Sequence, residues 1–447
     1  MAGRPDNIRL MKRRDMQRPG PSRVVAFWIG TLAAVCVDSF ASPVLFTEPP
    51  VPDALEVPYT AAYLGIGQAV ADFDRDGWPD LYLTGGAGSN TLLRNDEGKL
   101  VVVAGAGMLE LPDHLSAGAL FFDYDNDGWP DLLVLGLGRS YLFRNLSGAG
   151  WKDVTSTSGI ETAGQGQSAA VADFNGDGWL DLYIVHWYFD ENESSELRAD
   201  QLFLNRGGEF EEVSHWLDDQ ARSGPGFAAI WLDYNNDGLA DLYVVNDKLY
   251  GNVLWRNDGP GCSGWCFSDV SVDTGAARPA FSMGVSAADY DLDGDLDLFY
   301  SSIGEQILLE NLHAQGQHGF VEASSPAGVN LDAIGWGAMF FDADNDGRPD
   351  LFLATSNVDP QHCNRFWRNT GDGTFENLSQ PAGLNDCGFG MGVASLDLDR
   401  DGRMDLVLGN WDERFALYRN ESSAGPALRV HLDGADRVNR DAIGTRA

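Results

Sequence analysis

The chain has 447 residues, 44% of them hydrophobic, and a formal net charge of -37. That hydrophobic share can build a sizeable core and excludes a disordered acidic protein. The charge would be repelled by phosphate backbones and anionic membrane surfaces, which argues against a nucleic-acid partner and makes cations the natural one.

In chain order, the first segment carries basic residues up to Arg23, an apolar run from Val24 to Val37, and the small-residue stretch Ser39-Phe40-Ala41. This layout predicts a signal peptide over residues 1–41, export to a secreted, periplasmic or cell-surface location, and no stable membrane insertion once it is removed. The run is shorter than the roughly 20 residues a spanning helix needs. An uncleaved anchor is the alternative, and a lipoprotein site at Cys36 is disfavoured by the bulky Val35 before it.

From residue 42 to about 425 one unit recurs. "DFDRDGWPDL" at Asp72 returns at Asp123, Asp173, Asp233, Asp289, Asp342 and Asp397, at intervals of about 50 to 60 residues, which marks a repeat architecture. Each unit opens with small residues and glycines, such as "GIGQAVA", then the aspartate loop and a run such as "DLYL". An aromatic or aliphatic run follows, usually ending in Arg-Asn, and then a short strand such as "FEEVS". Four short β-rich runs divided by turns predict four strands per unit, and no helical period is sustained. The expected fold is all-β, a seven-bladed β-propeller with calcium loops. After "ALYRN" the seventh unit lacks a fourth strand, whereas "VLFTE" at Val44–Glu48 precedes the first unit. An N-terminal strand is therefore expected to close the ring.

Each loop places oxygen side chains at positions 1, 3, 5 and 9 and glycine at position 6. The candidate ligands are Asp72, Asp74, Asp76 and Asp80; Asp123, Asp125, Asp127 and Asp131; Asp173, Asn175, Asp177 and Asp181; Asp233, Asn235, Asp237 and Asp241. The later loops supply Asp289, Asp291, Asp293 and Asp297; Asp342, Asp344, Asp346 and Asp350; Asp397, Asp399, Asp401 and Asp405. Hard oxygen donors in a flexible loop suit Ca2+, up to seven ions, better than Mg2+ with its strict octahedron. Asn175 and Asn235 remove charge, so their loops should bind more weakly. An EF-hand is excluded, because its position-12 glutamate is replaced by Leu83, Val134, Ile184, Val244, Tyr300, Leu353 and Leu408. The alternative reading is a set of Asp-Gly turns whose carboxylates only cap backbone amides.

With the signal removed, four cysteines remain, and closeness in sequence favours disulfides Cys262–Cys266 and Cys363–Cys387, with a soft-metal site as the rival. Sequons stand at Asn145, Asn192, Asn377 and Asn420.

The loops resemble the FG-GAP/VCBS repeats of integrin alpha-subunit propellers and bacterial surface proteins. The tail from Leu428 to Ala447 resembles the start of the ASPIC/UnbV module of cartilage-acidic-protein-like proteins, at Leu432, Gly434, Asn439, Arg440, Ala442, Ile443 and Gly444. Residues 426–447 are then a truncated start of that module, as in a fragment. The resemblance implies an exported, calcium-stabilised scaffold for adhesion or recognition of a protein or glycan.

Hairpins alternate between the two faces of a propeller, so the connections between second and third strands lie opposite the aspartate loops. These connections vary most between units. They carry Trp187, Tyr188, Tyr250 and Trp411, expected as exposed partner contacts. A polysaccharide lyase or hydrolase is the alternative function, with His186 and His362 as its best acid/base candidates. No catalytic constellation accompanies either histidine, so the expectation is no enzyme.

Overall fold

A computed structural model describes residues 43–48, 59–60, 65–104, 106–188, 198–356, 362–423 and 425–427. The expected signal peptide, nearly all of the tail module and Asn192 lie outside the described residues.

Strand pairing is antiparallel throughout and groups into seven four-stranded arrays among the described residues. The first comprises Gln68–Ala71, Asp80–Leu83, Thr91–Asn95 and Leu100–Val102 in sequential order. Blades two, three and four follow from Ser116, Gln165 and Gly226. Blades five and six, from Ser282 and Asp332, are stitched together where Ile303–Glu305 pairs with Asp332–Ile334. Blade seven has three strands of its own, Gly390–Leu396, Asp405–Asn410 and Ala416–Asn420. Its fourth is the N-terminal Phe46–Thr47, with Phe46 opposite Asn420. The seventh blade is thus completed by the strand the sequence assigned to it. Phe46 is buried, its ring 6.2 Å from those of Phe341 and Phe366.

Two features of the repeat make this a closed ring, a β-propeller. First, the glycines opening each unit let neighbouring inner strands approach. A Cβ on Gly392 of blade seven would lie 2.6 Å from the carbonyl oxygen of Ile66 in blade one, and one on Gly284 would collide with the carbonyl of Trp336 in the next blade. Second, the asparagine ending each third strand reaches into the blade before it. Asn145 Nδ2 donates to the Phe73 carbonyl at 2.8 Å, Asn257 to Phe174 at 2.8 Å and Asn420 to Ala343 at 2.8 Å. Asn145 and Asn420 are consequently buried within the blade interfaces, and a glycan at either sequon is incompatible with the folded ring.

Apolar side chains, most of them from second and third strands, fill the spaces between blades. In one cluster Leu81, Leu83 and Leu93 of blade one pack on Leu396, Val407 and Leu417 of blade seven. These central strands are buried on both faces, which is why they read as continuous apolar runs rather than alternating ones.

Candidate metal centres

Every aspartate loop joins the first and second strands of its blade, so all seven emerge on the same face. The residue at position 4 takes a left-handed conformation, as at Arg75 (φ 59°), Asn126 (φ 53°) and Arg400 (φ 60°). This turns the chain back so that alternate carboxylates converge. Position 1 accepts the glycine amide, with Asp72 Oδ2 2.8 Å from Gly77 N and Asp123 Oδ2 2.6 Å from Gly128 N. Position 5 accepts the amide two residues on, as in Asp76 Oδ1 with Trp78 N at 2.9 Å.

Position 9 has a second duty. Asp80 is fully buried; its Oδ1 accepts the Asn95 amide at 2.8 Å and its Oδ2 the Phe73 amide at 3.0 Å. The same pair recurs at Asp131, Asp241, Asp297, Asp350 and Asp405. This aspartate ties its loop to the end of the third strand. Burial outweighs the amide bonds and pushes its carboxyl up, to about 7 at Asp80 and Asp405, about 8 at Asp241, Asp297 and Asp350, and about 9 at Asp131.

The carboxylates converge closely enough to share an ion in five loops. Asp72, Asp74 and Asp80 lie within 4.8 Å of one another through one oxygen each, as do Asp289, Asp291 and Asp297, and Asp342, Asp344 and Asp350. In loops two and seven the converging sets are Asp123, Asp125 and Asp127, and Asp397, Asp399 and Asp401. Loops three and four hold only Asp173, Asp177 and Asp181, and Asp233, Asp237 and Asp241, around Asn175 and Asn235. The residues fit a hard divalent cation. Besides the three-oxygen convergence, Asp72 Oδ1 and Asp181 Oδ2 are buried without a hydrogen-bond partner among the described residues, an arrangement that a cation relieves.

A second counter-charge, not evident from the spacing of the loops, stands beside them. The arginine preceding the third-strand asparagine folds over the loop of its own blade in three cases. Arg144 Nε is 2.6 Å from Asp125 and its Nη2 is 2.9 Å from Asp127; Arg368 contacts Asp344 at 2.5 Å and Asp346 at 3.1 Å; Arg419 lies 2.6 Å from Asp399. Arg348 and Arg403, at position 7, pair with Asp346 and Asp401. The recurring Arg-Asn was the available signal, but only the pairing register shows that it ends beside the loop.

The cysteines form Cys262–Cys266 and Cys363–Cys387, the pairing expected.

On the opposite face three of the four expected exposures need correction, those of Trp187, Tyr188 and Trp411. Trp187 and Tyr188 are buried, at 5% and 1% exposure, rather than exposed. The second strand of blade three runs on through Trp187 to the centre of the ring, where the indole Nε1 donates to Asp247 Oδ2 at 2.9 Å. Trp187 begins an aromatic arc through Phe227, Trp336 and Phe389 to Trp411, with neighbouring ring centroids 5.9–6.3 Å apart. Trp411, partly buried, packs at the end of this arc. Tyr188 lies beneath Lys248, whose Nζ donates to the Tyr188 carbonyl at 2.7 Å. Tyr250 is exposed, as is neighbouring Leu249. His186 is likewise a strand residue at 1% exposure, and burial pushes its imidazole down to about 4. His362 is partly buried.

The ring and its repeated acidic loops define a repeat β-propeller. The FG-GAP-like repeat family model matches residues 72–134, 123–184, 233–300 and 342–408, more than half the chain, and the chain belongs to that family. It is 25% identical to Cartilage acidic protein 1 of Mus musculus over 412 residues, covering 82% of this chain and 61% of the relative. It is 39% identical to Integrin alpha-7 of Homo sapiens over 85 residues, covering 19% of this chain and 7% of that protein. The chain spans about three-fifths of the length of the cartilage acidic proteins it matches. Among solved structures, BBS1N in complex with ARL6DN matches with a TM-score of 0.50 at 9% identity, covering 84% of this chain and 97% of that one. That likeness is one of fold alone.

Proposed function

We propose that the chain is an exported recognition scaffold whose propeller is stabilised by Ca2+ in its aspartate loops and binds a protein or glycan partner through the face opposite those loops. The observation that carries this is the division of labour between the faces. One is occupied by seven inward-bonded acidic loops, while the other presents Leu249 at 57% and Tyr250 at 41% exposure beside Lys248. An exposed aromatic with polar neighbours is the composition of a binding hot spot. Similarity to Cartilage acidic protein 1 and to Integrin alpha-7 supports an extracellular setting.

The ion would be held by the position 1, 3 and 9 side chains in loops one, five and six and by those at positions 1, 3 and 5 in loops two and seven. Bound Ca2+ would offset the carboxylate repulsion and fix the loop that anchors the third strand. The reading is a binding protein and not an enzyme; the buried, partnerless imidazole of His186 supports this, being out of reach of a polysaccharide.

An array of extracellular proteins and glycans, probed with the chain in calcium and in chelator, tests the reading. Binding without turnover, weakened by Tyr250→Ala, is expected. Depolymerisation of a glycan, or binding indifferent to both chelator and Tyr250→Ala, would overturn it.

A further inference from the structure

The seven loops are not electrostatically equivalent, and what sets them apart is the residue just before the third-strand asparagine. In blades two, six and seven this residue is Arg144, Arg368 or Arg419, and its guanidinium contacts the carboxylates at position 3 or at positions 3 and 5. In blades one and four it is Arg94 or Arg256, which pair with Asp96 and Asp258 in the turn beyond the strand. Blade three has Leu204 and blade five has Glu310. Loop five therefore carries an added acid where three others carry an internal cation.

Two further features of loop five point the same way. Its position 7 is Asp295, which with Glu310 on the neighbouring strand makes two acidic residues beyond the common set at positions 1, 3, 5 and 9. Asp295 is 1% exposed; its Oδ2 accepts the Ala314 amide at 2.6 Å, while its Oδ1 is buried with no hydrogen-bond partner among the described residues. Glu310 is held toward the loop by the Tyr290 hydroxyl, which donates to its Oε2 at 3.4 Å. Position 5 is also steadied from outside the loop, with Gln315 Nε2 donating to Asp293 Oδ2 at 2.7 Å. A buried carboxylate oxygen without a partner, beside three converging aspartates and an extra glutamate, is an arrangement that a divalent cation completes.

We infer that loop five is the tightest divalent-cation site of the ring, and that Arg144, Arg368 and Arg419 act as built-in competitors that weaken the sites of loops two, six and seven. The inference rests on the calcium reading above and adds a ranking to it. Its physical basis is direct. A guanidinium must be displaced or must share its carboxylates before Ca2+ can enter, whereas Glu310 and Asp295 add negative charge to their loop.

Isothermal titration of the full chain with CaCl2 tests the ranking. The wild type is expected to show one site at least about tenfold tighter than the rest, since charge count tunes such loops over several decades. Glu310→Arg should remove that site from the tight class, and Glu310→Gln should weaken it by a smaller factor, with both variants melting in chelator no lower than the wild type. Arg144→Gln should tighten one weak site by about tenfold. Retention of the tight site in Glu310→Arg and Glu310→Gln, or weaker binding in Arg144→Gln, would overturn the inference while leaving calcium binding intact. Absence of calcium uptake by the wild type would overturn the reading beneath it.

Discussion

Asn95 and Leu398, 303 residues apart, are joined by a hydrogen bond across the closing seam of the ring, Asn95 Nδ2 donating to the Leu398 carbonyl oxygen at 2.8 Å. Asn95 is fully buried, and its Oδ1 also accepts the Gly98 amide at 2.7 Å. Asn95→Ala leaves a buried carbonyl and a buried amide unmet, which should cost about 2–4 kcal/mol. Urea unfolding should show a lower midpoint at unchanged slope. A loss below about 0.5 kcal/mol would mean that this bond does not help hold the seam.

The N-terminal strand closes the same ring from the other side of the chain. Phe46→Ala removes a buried ring from between Phe341 and Phe366 and should cost about 3–5 kcal/mol, while Leu45→Ala, at an exposed neighbour, should cost under about 0.5 kcal/mol. Equal effects in thermal or urea unfolding would argue against closure by this strand.

The two disulfides should differ in worth. Cys363–Cys387 closes a separation of 24 residues and Cys262–Cys266 one of 4. By loop-closure entropy the first contributes about 3.5 kcal/mol and the second about 2 kcal/mol. Paired Cys→Ser variants, compared by urea unfolding, should rank in that order; the reverse order would contradict it.

Much of this was legible before any coordinates. The period of the aspartate loop gave the blade count, the missing fourth strand after "ALYRN" gave the closure, and closeness gave both disulfides. What stayed hidden depended on where strands end in space. Trp187 reads as part of a variable loop, yet its strand continues to the ring centre, where an indole caps the inner strands. Asp80 reads only as a fourth ligand; it converges with Asp72 and Asp74, and its burial and two backbone amides also make it the tie between loop and third strand. Arg144 reads as part of a terminal motif, and only the register brings it to Asp125.

Asp200 gives a pH dependence away from the loops. It is buried, accepts the His186 amide at 2.7 Å and the Tyr183 hydroxyl at 2.9 Å, and burial pushes its carboxyl up to about 8. Its folded state binds the proton more tightly than the unfolded chain, so this contribution to stability is full below about pH 4 and is lost as the pH rises through about 8. Blade four has Asn252 in the equivalent place, with its Oδ1 on the Asn246 amide and its Nδ2 on the Tyr243 hydroxyl, both at 3.0 Å. Asp200→Asn should therefore raise stability near pH 8 by about 2–4 kcal/mol and change it little near pH 4. Unfolding across that range checks this; a pH-independent difference would refute it.

The most direct test of the whole account is thermal unfolding of the purified chain, chelated and then restored with millimolar CaCl2. Seven sites with dissociation constants near 10⁻⁴ M would together contribute on the order of 10 kcal/mol, raising the melting temperature by about 10 °C. Such a rise, reversed by chelator, is the expected result. Identical melting in both conditions would contradict it.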